Sequence, residues 1–425
     1  MFACTINYCY KTYSENNSQN GFLFNLSDTA KTLLNKNNGS VSMENYLSVN
    51  QNNFAQPHKS EEITPNFCYD ELQSKAEQSL YNSILENVNK ISEHKSKNNL
   101  YKIEPVRFLK NLKIVSVKKV MYAVENDHPE LFWLSNKFDY SYSNDYASVT
   151  LYSEFSPKDK TKAQEQITSK THEILDLVPQ NCSEYDAELI IHDYIVDNCN
   201  YQYSFSGKNI YNIYGCLIQN HAVCQGYAKT FQMLMCKLGI PCRVVAGTRE
   251  QERHMWNVVK INNEWHHVDV TWESKESLQK HNYFNVSDSM ITRNHTIYHN
   301  INAISNLTAS SQYNFNLPVC NSMQENYYTK NAIKIKNIDD LESESFKKYL
   351  VYLAVKQMSQ LHIICDGNIT MNELEDKLFK KESVFLNQIK KVNQVIQLEH
   401  EINEQHFSYA ENKLFNLLSI KIEYN

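Results

Sequence analysis

Residues 224–270 constrain the fold more than any other stretch of the chain. The spacing predicts a helix that begins near Cys224, runs to Leu238 and stops at Gly239, with Pro241 just beyond. Glycine takes the left-handed backbone that closes a helix, and proline has no N–H with which to continue one. Residues 242–247, 254–261 and 264–270 then read as three strands. A turn centred on Asn262-Asn263 joins the last two as a hairpin. In that register His254 faces Thr271, and Asp269 lies diagonal to His254 on the same side, within side-chain reach. Alternation places His254, Trp256 and Val258 on one face with Trp265, His267 and Asp269, and His266 on the other.

The order His221-Ala222-Val223-Cys224-Gln225-Gly226-Tyr227-Ala228 sets a cysteine in the first turn of the predicted helix. Unpaired N–H groups and the helix dipole favour a thiolate there, and the same N–H groups can receive an oxyanion formed beside the sulfur. A nucleophilic cysteine also needs a base and a group to orient that base. His254 is the preferred base, with Asp269 accepting from one ring nitrogen and the other left for the thiol. His267 shares the face and competes for the role. Gln219, five residues before the cysteine, is a candidate oxyanion donor, and Trp256 and Trp272 are candidate walls of the site. Gln225 reads as a packing or capping residue. The bland readings apply to the remaining thiols: Cys216, Cys236, Cys242 and Cys320 read as buried core. The cysteines, histidines and Asp269 could also ligate zinc, but no recognised zinc spacing joins them.

The rest of the chain bounds the function by what it lacks. Its 425 residues suffice for two or three domains. The 42 Lys and Arg against 48 Asp and Glu leave a net charge of −6 without a basic block, which argues against nucleic acid as a partner. No apolar run has the length of a membrane span. The 8 glycines form no phosphate-cradling pattern. The 11 cysteines are irregularly spaced; Cys4 and Cys9 could bridge. The start of the chain has no basic and apolar leader, so the sequence reads as cytoplasmic. Oligomeric state is not encoded in any pattern.

Three regions are expected: a polar, Asn-rich start with a helical segment (1–100), a central domain (101–330) and a small α/β domain (331–425). Within them the periodicity predicts helices at 70–95, around 103–125, at 160–178, after a capping box at Ser183-Glu184-Tyr185-Asp186, at 341–358 and over 371–398. A hairpin is expected over 135–152, a loop over 200–222, and strands at 361–365 and 417–424.

The segment His221–Trp272 resembles the core of the transglutaminase-like superfamily of papain-like thiol enzymes. The likeness rests on four pieces in order: Val223–Ala228, Leu238-Gly239-Ile240-Pro241, His254-Met255-Trp256-Asn257 and Trp265–Trp272. Asp127–Trp133, Tyr283–Asp288, His295 and Leu317–Cys320 extend it towards the bacterial members, over roughly residues 110–330. The resemblance implies an α+β fold in which a nucleophile helix packs on a small antiparallel sheet. It implies Cys224 as nucleophile, His254 as general base and Asp269 as orienting acid. The activity implied is acyl transfer through a thioester, on a protein or peptide substrate and without a cofactor. Protease or amidase action is the preferred form, protein-glutamine cross-linking the first alternative, and a noncatalytic scaffold on the same fold the second. Bacterial relatives are often exported or wall-associated.

Overall fold

A computed structural model of the protein describes residues 66–109, 112–142, 146–202, 209–272, 277–301, 313–380, 383–396, 401–405 and 407–425. The Asn-rich start and the Cys4–Cys9 pairing lie outside the described residues, as does part of the expected 200–222 loop. The architecture is α+β. Its described residues form two compact units, one ending at Ala332 and the other comprising Ile333–Asn425.

In the first unit, helix α1 (Lys75–Asn87) starts at a capping box in which the Ser74 side chain accepts from Glu77 N and Glu77 returns to Ser74 N. It packs on α2 (Ile114–Asp127) through a buried Glu77–Lys119 ion pair at 3.1 Å. Five strands form one antiparallel sheet: β1 (Ile91–Lys95), β2 (Tyr101–Ile103), β3 (Val106–Leu109), β4 (Leu134–Tyr142) and β5 (Tyr146–Ser153), with β5 central. The β4–β5 pair is the expected hairpin. Two expected helices are corrected. The 70–95 helix ends at Asn87 and yields to β1, because Asn87 and Asn89 are weak helix formers. The 103–125 helix begins only at Ile114. Pro105 pushes Glu104 into extended backbone, and β2 and β3 flank it.

Helix α3 (Pro157–Leu175) and helix α4 (Glu184–Asn198) follow, the latter capped by Ser183 accepting from Asp186 N at 3.0 Å. The expected loop at 200–222 contains more order. A short parallel pair, β6 (Asn200–Tyr201) and β7 (His221–Ala222), flanks a π-helical turn at Gly215–Gln219. Helix α5 (Cys224–Lys237) then begins at the cysteine itself. Gly226 in its first turn permits a close approach: a Cβ there would lie 2.7 Å from Ala222 Cβ and 2.8 Å from the Ile210 carbonyl oxygen.

A second antiparallel sheet has the order β10-β9-β8-β11, built from β8 (Cys242–Arg249), β9 (Glu252–Ile261), β10 (Glu264–Val268) and β11 (His295–Ile297). Asn262 and Asn263 take φ of 50° and 69° at the β9–β10 turn, the left-handed pair that a tight hairpin needs and that asparagine tolerates. The pairing follows the register read from that turn, with Glu264 opposite Ile261 and His267 opposite Val258. The strand stops at Val268, two residues before the expected end. Asp269 turns so that its Oδ1 accepts the Thr271 N–H at 3.1 Å, and a 3₁₀ turn spans Val270–Trp272. Helix α5 shares the core with this sheet: Phe231 and Leu234 are fully buried with Val259 and Ile261, and Asn257 Nδ2 donates to the Ala228 carbonyl at 3.0 Å. Short helices α6 (Asp288–Ile291) and α7 (Tyr327–Asn331) complete the unit.

The second unit is a four-stranded sheet, β12 (Ile333–Ile335), β13 (Gln360–Cys365), β14 (Tyr409–Asn412) and β15 (Leu417–Lys421), in the order β12-β13-β15-β14. It carries α8 (Glu344–Val355), α9 (Met371–Phe379) and α10 (Val384–Ile396). The expected 371–398 stretch is thus two helices. Among the described residues no helix is long and apolar enough to cross a membrane.

Candidate active site

Helix α5 and strand β9 meet where the chain places Cys224 and His254. Cys224 is the first helical residue and is half-buried. His254 is 4% exposed, and its Nε2 lies 2.7 Å from Asp269 Oδ2. Asp269 is fully buried, so its carboxylate needs partners on both oxygens. Oδ1 takes the Thr271 N–H, and Oδ2 takes a second imidazole as well, His295 Nε2 at 3.1 Å. With Nε2 engaged, His254 has Nδ1 left, and the Cys224 side chain lies close enough to favour the charged form of the ring.

The electrostatics follow from these contacts. Burial by itself would lower the His254 pKa. The Asp269 charge and hydrogen bond, and then the Cys224 contact, outweigh it and raise the value to about 9. Burial would likewise raise Asp269, yet the His254 charge and hydrogen bond and then the His295 hydrogen bond hold it well below the usual carboxylate range. A His254 pKa raised to about 9 beside a lowered Asp269 favours an imidazolium on a carboxylate at neutral pH.

His267 is differently employed. Trp256 Nε1–H donates to its Nδ1 at 3.0 Å, and its Nε2 lies 2.8 Å from Asp288 Oδ1. An Nδ1 that accepts must be unprotonated, which agrees with a pKa lowered chiefly by burial. Both nitrogens are spent, so the ring holds Trp256 in place and has no free nitrogen for a thiol. Trp256 is 1% exposed and stacks on His254, with 5.8 Å between centroids and 15° between planes. Gly247 makes room for that indole: a Cβ there would come within 2.6 Å of it. Trp272 is 45% exposed and meets the His254 ring at 6.1 Å and 65°. These two indoles border the imidazole on its buried and its open side. His266 is fully buried on the other face of β10.

No hydrogen bond joins the Gln219 side chain to this group among the described residues. Gln219 is exposed at the end of the π-helical turn, and its carbonyl accepts from His221 Nδ1 at 2.8 Å. Gln225 donates to Glu125 Oε1 at 2.9 Å, as does Lys229. Cys216, Cys236, Cys242 and Cys320 are buried. His295 is the residue that sequence reasoning passed over. It belonged to the downstream resemblance, but nothing local tied it to Asp269.

Three clusters among the described residues bring metal-ligand atoms within 4.8 Å of one another: His192–Asp193–His281, His254–Asp269–His295 and His267–Asp288–Cys320. In the first two, imidazole-to-carboxylate hydrogen bonds account for the closeness; in the third, His267 bonds to Asp288, which also accepts the Cys320 backbone N–H at 2.9 Å.

Residues 176–270 match the transglutaminase-like superfamily. That segment holds Cys224, His254 and Asp269. No curated protein matches the chain. Among solved structures, a TGase is similar at 13% identity and a TM-score of 0.25, over 41% of this chain and 52% of the other. A candidate cysteine protease from Cytophaga hutchinsonii is similar at 13% and 0.22, over 32% and 62%. A candidate protease from Parabacteroides distasonis is similar at 10% and 0.21, over 32% and 36%. The chain thus spans about half the length of the first of these.

Proposed function

We propose that the transglutaminase-like segment of this chain is the core of a thiol acyl-transfer enzyme that hydrolyses peptide or side-chain amides, with Cys224, His254 and Asp269 as its triad. The observation that carries this reading is the buried Asp269–His254 hydrogen bond, together with a cysteine at the first position of a helix that acts on the same imidazole. Cys224 attacks the amide carbonyl carbon as a thiolate. Backbone N–H groups of the first turn, at Cys224 and Gln225, meet the oxyanion. As the C–N bond breaks, His254 passes its Nδ1 proton to the departing amine and a thioester remains. Water then adds to the thioester and gives its proton to His254. The acid leaves, and thiolate and imidazolium are restored. Asp269 keeps Nε2 protonated throughout, so that Nδ1 is the nitrogen that cycles.

Hydrolysis is favoured over transfer because it asks less of the site. Cross-linking needs a second amine bound and water kept from the thioester, whereas hydrolysis needs only the triad. The test is to incubate the protein with casein and a peptide library, with and without a labelled primary amine. New N-termini that vanish in Cys224→Ala support a protease, and ammonia without chain cleavage supports an amidase. Efficient amine incorporation would overturn hydrolysis in favour of cross-linking. Silence in all three would favour the scaffold alternative.

A further inference from the structure

Arg249 ends β8 on the face that carries the imidazole. Gly247 pairs directly with His254, and Arg249 lies two residues further along, so both point to the same side of the sheet. Across β8 its partner is His295, the second imidazole on Asp269. The guanidinium lies over the Trp272 ring, 3.5 Å from its centroid, and 5.8 Å from that of Tyr283. Trp272 in turn touches His254. One indole therefore separates a fixed cation from the proposed base.

Among the described residues this cation is poorly matched to its surroundings. Its side chain is only 14% exposed. The buried Nε has no hydrogen-bond partner among the described residues. Its acidic neighbour is Glu250 at 3.4 Å, which is 69% exposed and hence a weak counter-ion. A guanidinium offers five donors in a planar fork, and a covered one normally has them met by carboxylates or carbonyls. Stacking on indole fixes the plane of the fork but satisfies none of its N–H groups. Held flat beside the reacting groups, with its Nε unmet among the described residues, it has the form of a receptor for a planar anion.

We infer that Arg249 binds a carboxylate of the substrate beside the scissile amide, so that the preferred substrates are acidic at that position. This rests on the reading of Cys224 as nucleophile. The carboxylate has two sources, an acidic side chain or the C-terminus of a peptide.

The test uses the whole protein and three iodoacetyl-dipeptides that alkylate Cys224: iodoacetyl-Ala-Ala amide, iodoacetyl-Ala-Asp amide and iodoacetyl-Ala-Ala with a free carboxylate. Each rate is divided by that of the same reagent on free N-acetylcysteine. One anionic reagent should label Cys224 roughly three- to tenfold faster than the neutral one, and which one does so identifies the source. The advantage should vanish in Arg249→Gln and fall in Arg249→Lys. It should persist in Arg253→Gln, which removes an equal charge from an exposed neighbour of His254. A residue that merely propped Trp272 would change all three rates together and leave their ratio alone. An equal ratio in wild type and Arg249→Gln, with Cys224 still fast, overturns the carboxylate site by itself. If Cys224 reacts no faster than Cys182 with every reagent, the nucleophile reading falls and takes this inference with it.

Discussion

Two aspartates in this fold are held by two histidines each, and their proton chemistry runs in opposite directions. Asp269 is bound by His254 at 2.7 Å and His295 at 3.1 Å. Asp193 is bound by His192 at 3.0 Å and His281 at 2.8 Å. Both carboxylates are pulled below their usual range. Yet His254 is raised to about 9, while His192 is lowered to about 4. Burial acts against the charge on both rings. In the first case the Asp269 charge and the Cys224 contact overcome it. In the second, burial prevails, and the neighbouring His281 and Lys280, the latter 3.7 Å from Asp193, add to it against a proton on His192. A His–Asp–His arrangement is thus not a catalytic feature in itself. The neighbours decide which ring carries the proton, and only one arrangement has a thiol against it.

The largest expected effects separate the two clusters by activity. Once a turnover assay is in hand, Cys224→Ala and His254→Ala should each cost about a thousandfold or more in kcat, while His267→Ala should keep substantial activity. Loss of turnover in His267→Ala with full turnover in His254→Ala would reverse the assignment of the base. Next, Asp269→Asn should lower kcat by about a hundredfold or more through the wrong imidazole tautomer. Asp193→Asn should leave kcat close to wild type and lower the melting temperature instead. Equal kinetic losses at the two aspartates would erase the distinction.

The pH dependence of stability sharpens it further. His254 lies above its ordinary 6.5, so the stability it contributes is complete below that pH and is lost as pH rises through about 9. His192 lies below 6.5, so the unfolded chain takes up its proton first. Stability is then lost as pH falls from about 6.5 towards 4. Melting temperatures from pH 4 to 10 should show His254→Gln flattening the alkaline limb and His192→Gln flattening the acid limb. The smallest effect is expected at His295. His295→Gln should slow turnover by about tenfold, because Asp269 keeps His254 and the Thr271 N–H. A loss as large as that of Asp269→Asn would mean that His295 acts on the reacting atoms.

What the sequence made legible was local. Cys224 could be placed at a helix start because Gly239 and Pro241 fix the other end. His254 could be matched with Asp269 because Asn262-Asn263 fixes the register between them. Legibility failed where the partner comes from far along the chain. His295 and Arg249 meet only because β11 returns to pair with the outer edge of β8, a crossover that no turn residue announces. It also failed where one residue overrode periodicity. Pro105 gave the start of an expected helix to extended strands, leaving the helix to begin at Ile114, and the Asp269 side chain ended β10 early by capping Thr271. Gln219 drew attention by its distance from Cys224 in sequence, but the π-helical turn leaves it exposed. The separate roles of His254 and His267 rested on which ring nitrogens were already taken, a matter of side-chain contacts that alternation cannot supply.

The central claim is that Asp269, His254 and Cys224 act as one proton-sharing unit. It is tested most directly by alkylation with iodoacetamide between pH 5 and 10, followed at each cysteine by mass spectrometry. Cys182, half-buried and with its thiol pushed up to about 11 chiefly by burial, is the internal reference. The account predicts that Cys224 reacts well ahead of Cys182 at pH 6, and that His254→Ala abolishes this lead while leaving Cys182 unchanged. A Cys224 that reacts at the same rate with and without His254 would contradict it.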